Sequence, residues 1–141
     1  MALVIYCYLT ACSKAGPAST ETTSAVFSTL EEKISFLEKY VTFHRHYKAL
    51  DYFIIFHNNS SFLAAPSDWQ IAILAQVPSE ELSQWVINEN KIADPNLNQC
   101  WEHVPNSSQL NKITDWYIGN SGQFIGINRT ISLVAYCNKS Q

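Results

Sequence analysis

Three histidines are the side chains of this 141-residue chain that could form a metal site. His44 and His46 are two positions apart, so an extended strand would place both side chains on one side, where they could share a metal ion. His57 or Asp51 could complete the set. A histidine at the end of a helix can also serve as a cation near the helix dipole. Because no HExxH or CxxC pattern accompanies these residues, we expect no bound metal and no cofactor.

Nucleophilic catalysis has little support in the sequence. The chain has no Gly-x-Ser-x-Gly motif. Cys100 and His103 are three residues apart and could form a thiol–imidazole pair on one helical turn, but Cys100 is also a candidate for a disulfide. We therefore predict no catalytic residues. A metal-dependent or hydrolytic enzyme that uses His44, His46 and His57 remains the alternative.

Aromatic side chains are the candidates for a binding surface, although most of the 4 Trp, 7 Tyr and 7 Phe should lie in the core. Trp101 differs because it lies in an aperiodic polar segment beside His103, and we predict that both residues contact a partner. Phe62 and Leu63 belong to a long polar loop, where apolar residues often anchor in a partner's pocket. The alternative for this loop is that it folds back and covers the sheet.

Composition limits the classes of protein that the chain can belong to. Hydrophobic residues make up 47% and charged residues 15%, which suits one globular domain. The 9 Lys and Arg against 12 Asp and Glu give a net charge of −3 without a basic stripe, so we expect no nucleic-acid partner. No apolar run reaches the ~18 residues of a transmembrane helix.

The first twelve residues form an apolar run with no charged side chain before Lys14. This length is typical of the hydrophobic region of an export signal. The run ends in Leu9-Thr10-Ala11-Cys12, which resembles the lipobox of small bacterial lipoproteins. The resemblance is to lipoproteins whose family has no known function. The alternative is that the run forms a first core strand.

The resemblance implies a processed and anchored protein. Residues 1–11 would be the signal peptide, residues 12–25 the lipidated Cys12 with a flexible tether, and residues 26–141 a single domain. The acyl chains, palmitate among them, would hold the protein to a lipid bilayer. Ser13 in the place of Asp implies the outer membrane of the cell envelope, on its periplasmic side.

The lipoprotein resemblance also bears on the remaining cysteines. Cys7 would leave with the signal peptide and Cys12 would carry lipid, so Cys100 and Cys137 would remain as a pair in an oxidising compartment. We expect a disulfide between them. Two buried free thiols are the alternative, because their separation is not visible in the sequence.

Periodicity predicts the elements of the folded part. Apolar residues at steps of three and four predict a helix over Phe27 to His44. Thr29 and Glu32 have the spacing of a capping box, and Ser28 is the alternative N-cap. Dense β-branched and aromatic residues predict a strand over Lys48 to His57, apolar on both faces. Alternation predicts a second strand over Trp69 to Val77, with one wet face.

The rest of the chain predicts one more helix and a β-meander. A short helix should begin at Pro78, and Asn88 to Asn111 has no strong period and is expected to be a loop. Strands are expected over residues 114–119, 122–128 and 131–137.

Together these elements predict an α+β domain, in which a mostly antiparallel sheet of about five strands packs against two helices in the order α-β-β-α-β-β-β. The function that we predict is a lipid-anchored binding module, such as an inhibitor or immunity-type protein, whose partner is another envelope or secreted protein. A structural envelope component is a further alternative.

Overall fold

A computed structural model describes residues 17–59, 68–86, 89–93 and 99–140, and the fold is given for these residues. One antiparallel sheet holds seven strands in the order β1-β2-β3-β7-β6-β5-β4. The strands are β1 (Thr20–Thr23), β2 (Ala49–His57), β3 (Asp68–Gln76), β4 (Asn90–Ile92), β5 (Asp115–Ile118), β6 (Phe124–Asn128) and β7 (Leu133–Lys139). The described residues also form one α-helix, α1 (Leu30–Leu37), and 3₁₀ segments at Ser24–Val26, Ser79–Trp85 and Ser107–Lys112.

The α+β class and the antiparallel sheet are therefore confirmed, whereas the expected five strands and two helices are not exact. Over the described residues the sheet has seven strands, and the helix expected to begin at Pro78 is the 3₁₀ segment Ser79–Trp85. The two additional strands are β1 and β4, which lie at opposite edges of the sheet. Both are short and polar, because an edge strand packs fewer of its side chains into the core. A hydrophobic pattern therefore does not reveal them. The meander of β5, β6 and β7 is present as predicted.

Alternation along the central strands gives the sheet two buried faces. Tyr52 and Ile73 lie opposite each other and point to the side covered by α1, which we call the helix face. Ala72 and Leu74 point to the opposite side, covered by residues 99–112, which we call the turn face. The wet face predicted for β3 is wrong, since Ala72 is 0% and Leu74 3% exposed. The aperiodic segment expected to be a loop covers them.

The α-helix is shorter than the periodicity predicts. Thr29 and Glu32 form the expected capping box, but the helix ends at Leu37 rather than at His44. The Tyr40 amide donates to the Leu37 carbonyl in a closing turn, and the chain then continues without helix. Phe43 lies beyond that turn and packs against the rings of Trp85 and Tyr136, each 5.5 Å away. The apolar residues after Leu37 thus cover the sheet from a segment that is not helical, although their spacing in the sequence is that of a helix.

The folded part of the chain begins earlier than residue 26. Residues 20–23 pair with Phe53 to Phe56 as β1, and Ser24 is fully buried. The Ser24 hydroxyl accepts from the Tyr52 amide and donates to Asp51 Oδ1. The prediction of a flexible tether is therefore wrong for residues 20–25. Threonine-rich sequence is compatible with both a linker and an edge strand, and pairing with β2 decides between them.

The strand register defines two ends of the sheet. At the lower end, Thr20 lies opposite Phe56, and His57 lies opposite Asp68. At the upper end, Gln76 lies between Ala49 and Leu133. The chain enters the sheet through β1 at the lower end and runs towards the upper end.

Candidate functional site

A groove of about 830 Å³ lies on the turn face, beside the edge formed by β4 and β5. Its volume lies in the range typical of binding sites, and its lining mixes apolar and polar side chains. The apolar lining residues are Ile92, Ala93, Trp101, Leu110, Ile113 and Trp116. The charged lining residues are Lys91, Glu102 and Asp115, with Ser107, Ser108, Asn111 and Thr114 as neutral polar neighbours.

Trp101 forms the base of this groove rather than its rim. The side chain is 1% exposed, and its Nε1–H donates to the carbonyl oxygen of Ile73 at 3.1 Å. The prediction that Trp101 contacts a partner directly is therefore wrong, because the indole packs over β3 as part of the core. Its ring supports Trp116, whose ring centroid lies 5.5 Å away. Only Trp116 of the two remains partly accessible.

The backbone of β6 makes room for Trp116. Gly126 lies opposite Trp116 in the sheet register. A Cβ atom at Gly126 would lie 2.7 Å from Trp116 Cζ3 and 2.7 Å from Ile113 Cγ2, closer than side chains pack. Glycine is therefore required where the indole crosses β6. The sequence suggests a turn or bulge glycine here and gives no sign of this close approach.

The open edge of the groove carries an ion pair. Lys91 Nζ lies 2.6 Å from Asp115 Oδ1. The hydrogen bond from Lys91 lowers the pKa of Asp115, and the Thr114 hydroxyl contributes in the same direction. The same bond raises the pKa of Lys91. Both groups are therefore charged at neutral pH, and they leave Glu102 as the remaining charge of the lining.

The segment that covers the turn face is also held by contacts other than the bond from Trp101 to Ile73. Cys100 and Cys137 lie at disulfide distance, with Cα atoms 6.4 Å apart, which joins this segment to β7. Asn106, in a left-handed conformation with φ of 59°, donates through Nδ2 to Asp51 Oδ2 at 2.8 Å. Asp51 also accepts from Lys33 at 3.1 Å. This carboxylate thus ties the turn-face segment to α1 across the edge of β2.

His103 is exposed on the same segment and packs its ring against Phe53, with centroids 5.1 Å apart. Its accessibility is compatible with the predicted partner contact. Phe62, Leu63 and Cys12 lie outside the described residues, and their predicted roles stay predictions.

The histidines considered as metal ligands are held apart. His44 Nδ1 lies 3.1 Å from Glu38 Oε1, and His46 Nδ1 lies 2.5 Å from Glu81 Oε1. The hydrogen bond from His46 lowers the pKa of Glu81. His57 ends β2, at the opposite end of that strand from His46. Within the part of the chain that the structure describes, no three His, Cys, Asp or Glu side chains are grouped to hold a metal ion.

A smaller cavity of about 300 Å³ borders the two cysteines, between Gln70, Phe124 and Lys139. Because Cys100 and Cys137 are paired, the thiol–imidazole pair that Cys100 and His103 could have formed is not available for catalysis.

Comparisons with protein-family models, with curated proteins and with solved structures find no match to this chain. None of the helices in the described ranges is long and apolar enough to cross a membrane.

Proposed function

We propose that the chain is a lipid-anchored protein of the bacterial cell envelope, and that it acts as a binding module whose groove receives an apolar side chain of another envelope or secreted protein. An inhibitor or immunity-type protein is the form of this function that we favour. The observation that carries the proposal is the groove with its accessible Trp116. Partly exposed aromatic rings in a cleft with a polar rim are typical of the residues that dominate binding free energy in protein interfaces.

The way the groove is built supports recognition of a partner. Trp116 rests on Trp101, which is fixed to the Ile73 carbonyl, and the supporting segment is joined to β7 through Cys100 and Cys137. A surface that is ordered before binding loses less conformational entropy when the partner arrives. A rigid base under one accessible ring therefore favours affinity without rearrangement of the domain.

The cysteine pair supports an exported location. Disulfides persist in oxidising compartments such as the bacterial periplasm and are rare in the cytosol. The distance between Cys100 and Cys137 is compatible with a disulfide, which agrees with the lipoprotein-type signal that we propose for residues 1–11.

Photo-crosslinking in the natural host tests whether the groove binds a protein. p-Benzoylphenylalanine would be placed at Ser108 or at Asn111, which are exposed at the rim, and as a control at Glu31, which is exposed on α1. We expect both rim positions to give the same discrete adduct and Glu31 to give none. No adduct from either rim position, or the same adducts from Glu31, would contradict the proposal.

A further inference from the structure

The chain is attached to the fold from Pro17 onwards, nine residues before residue 26, where the domain was expected to begin. The Asn58 side chain donates through Nδ2 to the Pro17 carbonyl at 3.2 Å, and the Asn58 amide donates to Ser19 Oγ at 2.8 Å. The Tyr40 hydroxyl donates to the Ala18 carbonyl at 3.0 Å. These contacts hold residues 17–19 at the lower end of the sheet, beside the end of β2.

This attachment leaves little chain between the domain and the proposed lipid at Cys12. Five residue steps separate Cys12 from Pro17, and a fully extended chain of that length spans at most ~17–18 Å. Strand β2 alone has nine residues and extends over ~30 Å. The reach of the linker is therefore shorter than the sheet, so the lower end must stay near the membrane surface.

The groove lies towards the other end. Trp116 belongs to a row of paired residues that runs through Gly126 and Leu74 to Asp51 in the upper half of the sheet. Asp115 lies one residue closer to the upper end than Trp116 does. The linker and the groove are thus at opposite ends of the strands.

Exposed apolar residues are also placed away from the linker. Val26 is 69% and Ile131 38% exposed, and these are the large hydrophobic side chains that stand out on the described surface. Ile131 lies in the turn between β6 and β7 at the upper end. Val26 follows Ser24, which contacts Asp51 in the upper half. Apolar surface on that side would be in water, where it suits contact with a protein rather than with lipid.

We propose that the short linker holds the domain in one orientation on the bilayer, with its lower end against the membrane and the groove turned away from it, so that the partner is a water-soluble protein approaching from the aqueous compartment. This inference rests on the proposed lipid anchor at Cys12. Neither a lipid headgroup nor a bilayer-embedded segment could reach the groove in this orientation.

Förster resonance energy transfer between a donor dye on the domain and acceptor dyes on the lipid headgroups measures the orientation. The acylated full chain would be reconstituted in vesicles whose lipid headgroups carry an acceptor dye. A donor would be attached through an encoded ketone amino acid at Asn120 or at Thr130, which leaves the cysteines intact. Both positions are exposed, and they lie in the turns at the lower and upper ends of β6. We expect transfer more than about twofold stronger from Asn120, because the five residues of β6 separate the two turns by at least about 17 Å along the strands.

Two variants test whether the short reach causes this difference. A flexible Gly/Ser insertion as long as the sheet, placed between Lys14 and Ala15, should bring the ratio of the two transfer efficiencies towards one. Asn58→Ala removes the side-chain bond to Pro17 and should bring this ratio part of the way towards one. Asn90→Ala, on the edge strand β4, is the control and should leave the ratio unchanged.

The outcomes separate the inference from the proposed function. Equal transfer from both positions in the natural chain, or a ratio that the insertion leaves unchanged, would overturn the inference. A chain purified from its host that does not float with vesicles would instead contradict the lipid anchor, and with it the proposed function.

Discussion

The indole of Trp101 is bonded to a strand that lies 28 residues earlier in the chain, with Nε1 3.1 Å from the Ile73 carbonyl oxygen. Strand β3 is an interior strand, so this bond fixes an aperiodic polar segment over the middle of the sheet. The turn face is dry for this reason, and Trp116 has a base to rest on.

Replacing Trp101 should test the importance of this bond. We expect Trp101→Phe to lower the free energy of unfolding by about 1–3 kcal/mol, because it removes the donor to a buried carbonyl and leaves a void. Urea denaturation followed by far-UV circular dichroism measures the change. Glu102→Gln, on the exposed neighbour, serves as the control and should stay within about 0.5 kcal/mol of the natural chain. A similarly small effect of Trp101→Phe would show that the indole is not part of the core.

Reduction of the cysteine pair should destabilise the domain strongly. Cys100 and Cys137 are 37 residues apart, and closing a loop of that length corresponds to about 4 kcal/mol in the chain-entropy model. The midpoint of urea unfolding should therefore fall when dithiothreitol is added. The double variant Cys100→Ala/Cys137→Ala should show the low midpoint with or without reductant. If the urea midpoint of the natural chain did not change when reductant was added, the disulfide between Cys100 and Cys137 would be contradicted.

Gly126 should not tolerate a side chain. Because a Cβ atom there would overlap Trp116 and Ile113, Gly126→Ala is expected to cost about 1–3 kcal/mol of unfolding free energy. Trp116→Phe removes the ring atoms nearest to that Cβ, so the double variant should lose less than the sum of the two single changes. Strict additivity in this double-mutant cycle would refute the close approach.

Sequence patterns revealed the parts of the fold whose residues are apolar in a regular period. Strands β2 and β3 were predicted within a residue of their bounds, because their side chains are buried on both faces or alternate in the pattern of a strand. Strand β1 could not be predicted in this way, since Thr20–Thr23 is stabilised by pairing with β2 and not by its own hydrophobicity.

The candidate site is harder to predict from the sequence than the fold is. Trp101 stood out in the sequence because no periodicity explained it, yet its surroundings come from Ile73 and Cys137, which are distant in sequence. Lys91 and Asp115 meet only because β4 pairs with β5. Contacts of this kind depend on the topology of the sheet, so the local spacing of residues in the sequence does not predict them.

The carboxylate of Glu89 should give a pH-dependent effect. Partial burial raises the pKa of Glu89 above its ordinary value of 4.5, opposed in part by the hydrogen bond from Gln123. Its Oε2 is buried without a hydrogen-bond partner. A raised folded-state pKa means that stability is fully present below the ordinary value and is lost as the pH rises through the raised one.

Glu89→Gln keeps the shape and removes the charge, so it should be more stable than the natural chain at pH 7 and equal to it near pH 4. The gain should be a few tenths of a kcal/mol, because the group is partly solvated. Unfolding free energies measured across this range provide the comparison. A Gln variant that is less stable at pH 7, or a difference that does not change with pH, would contradict the effect of burial.

The lipid anchor underlies both the proposed function and the proposed orientation, and the intact mass of the protein extracted from host membranes tests it most directly. We predict a chain that begins at Cys12, carries the added mass of its acyl chains and is lighter by the two hydrogen atoms that the disulfide between Cys100 and Cys137 removes. A chain that retains Met1, or that carries no acyl mass, would contradict the account.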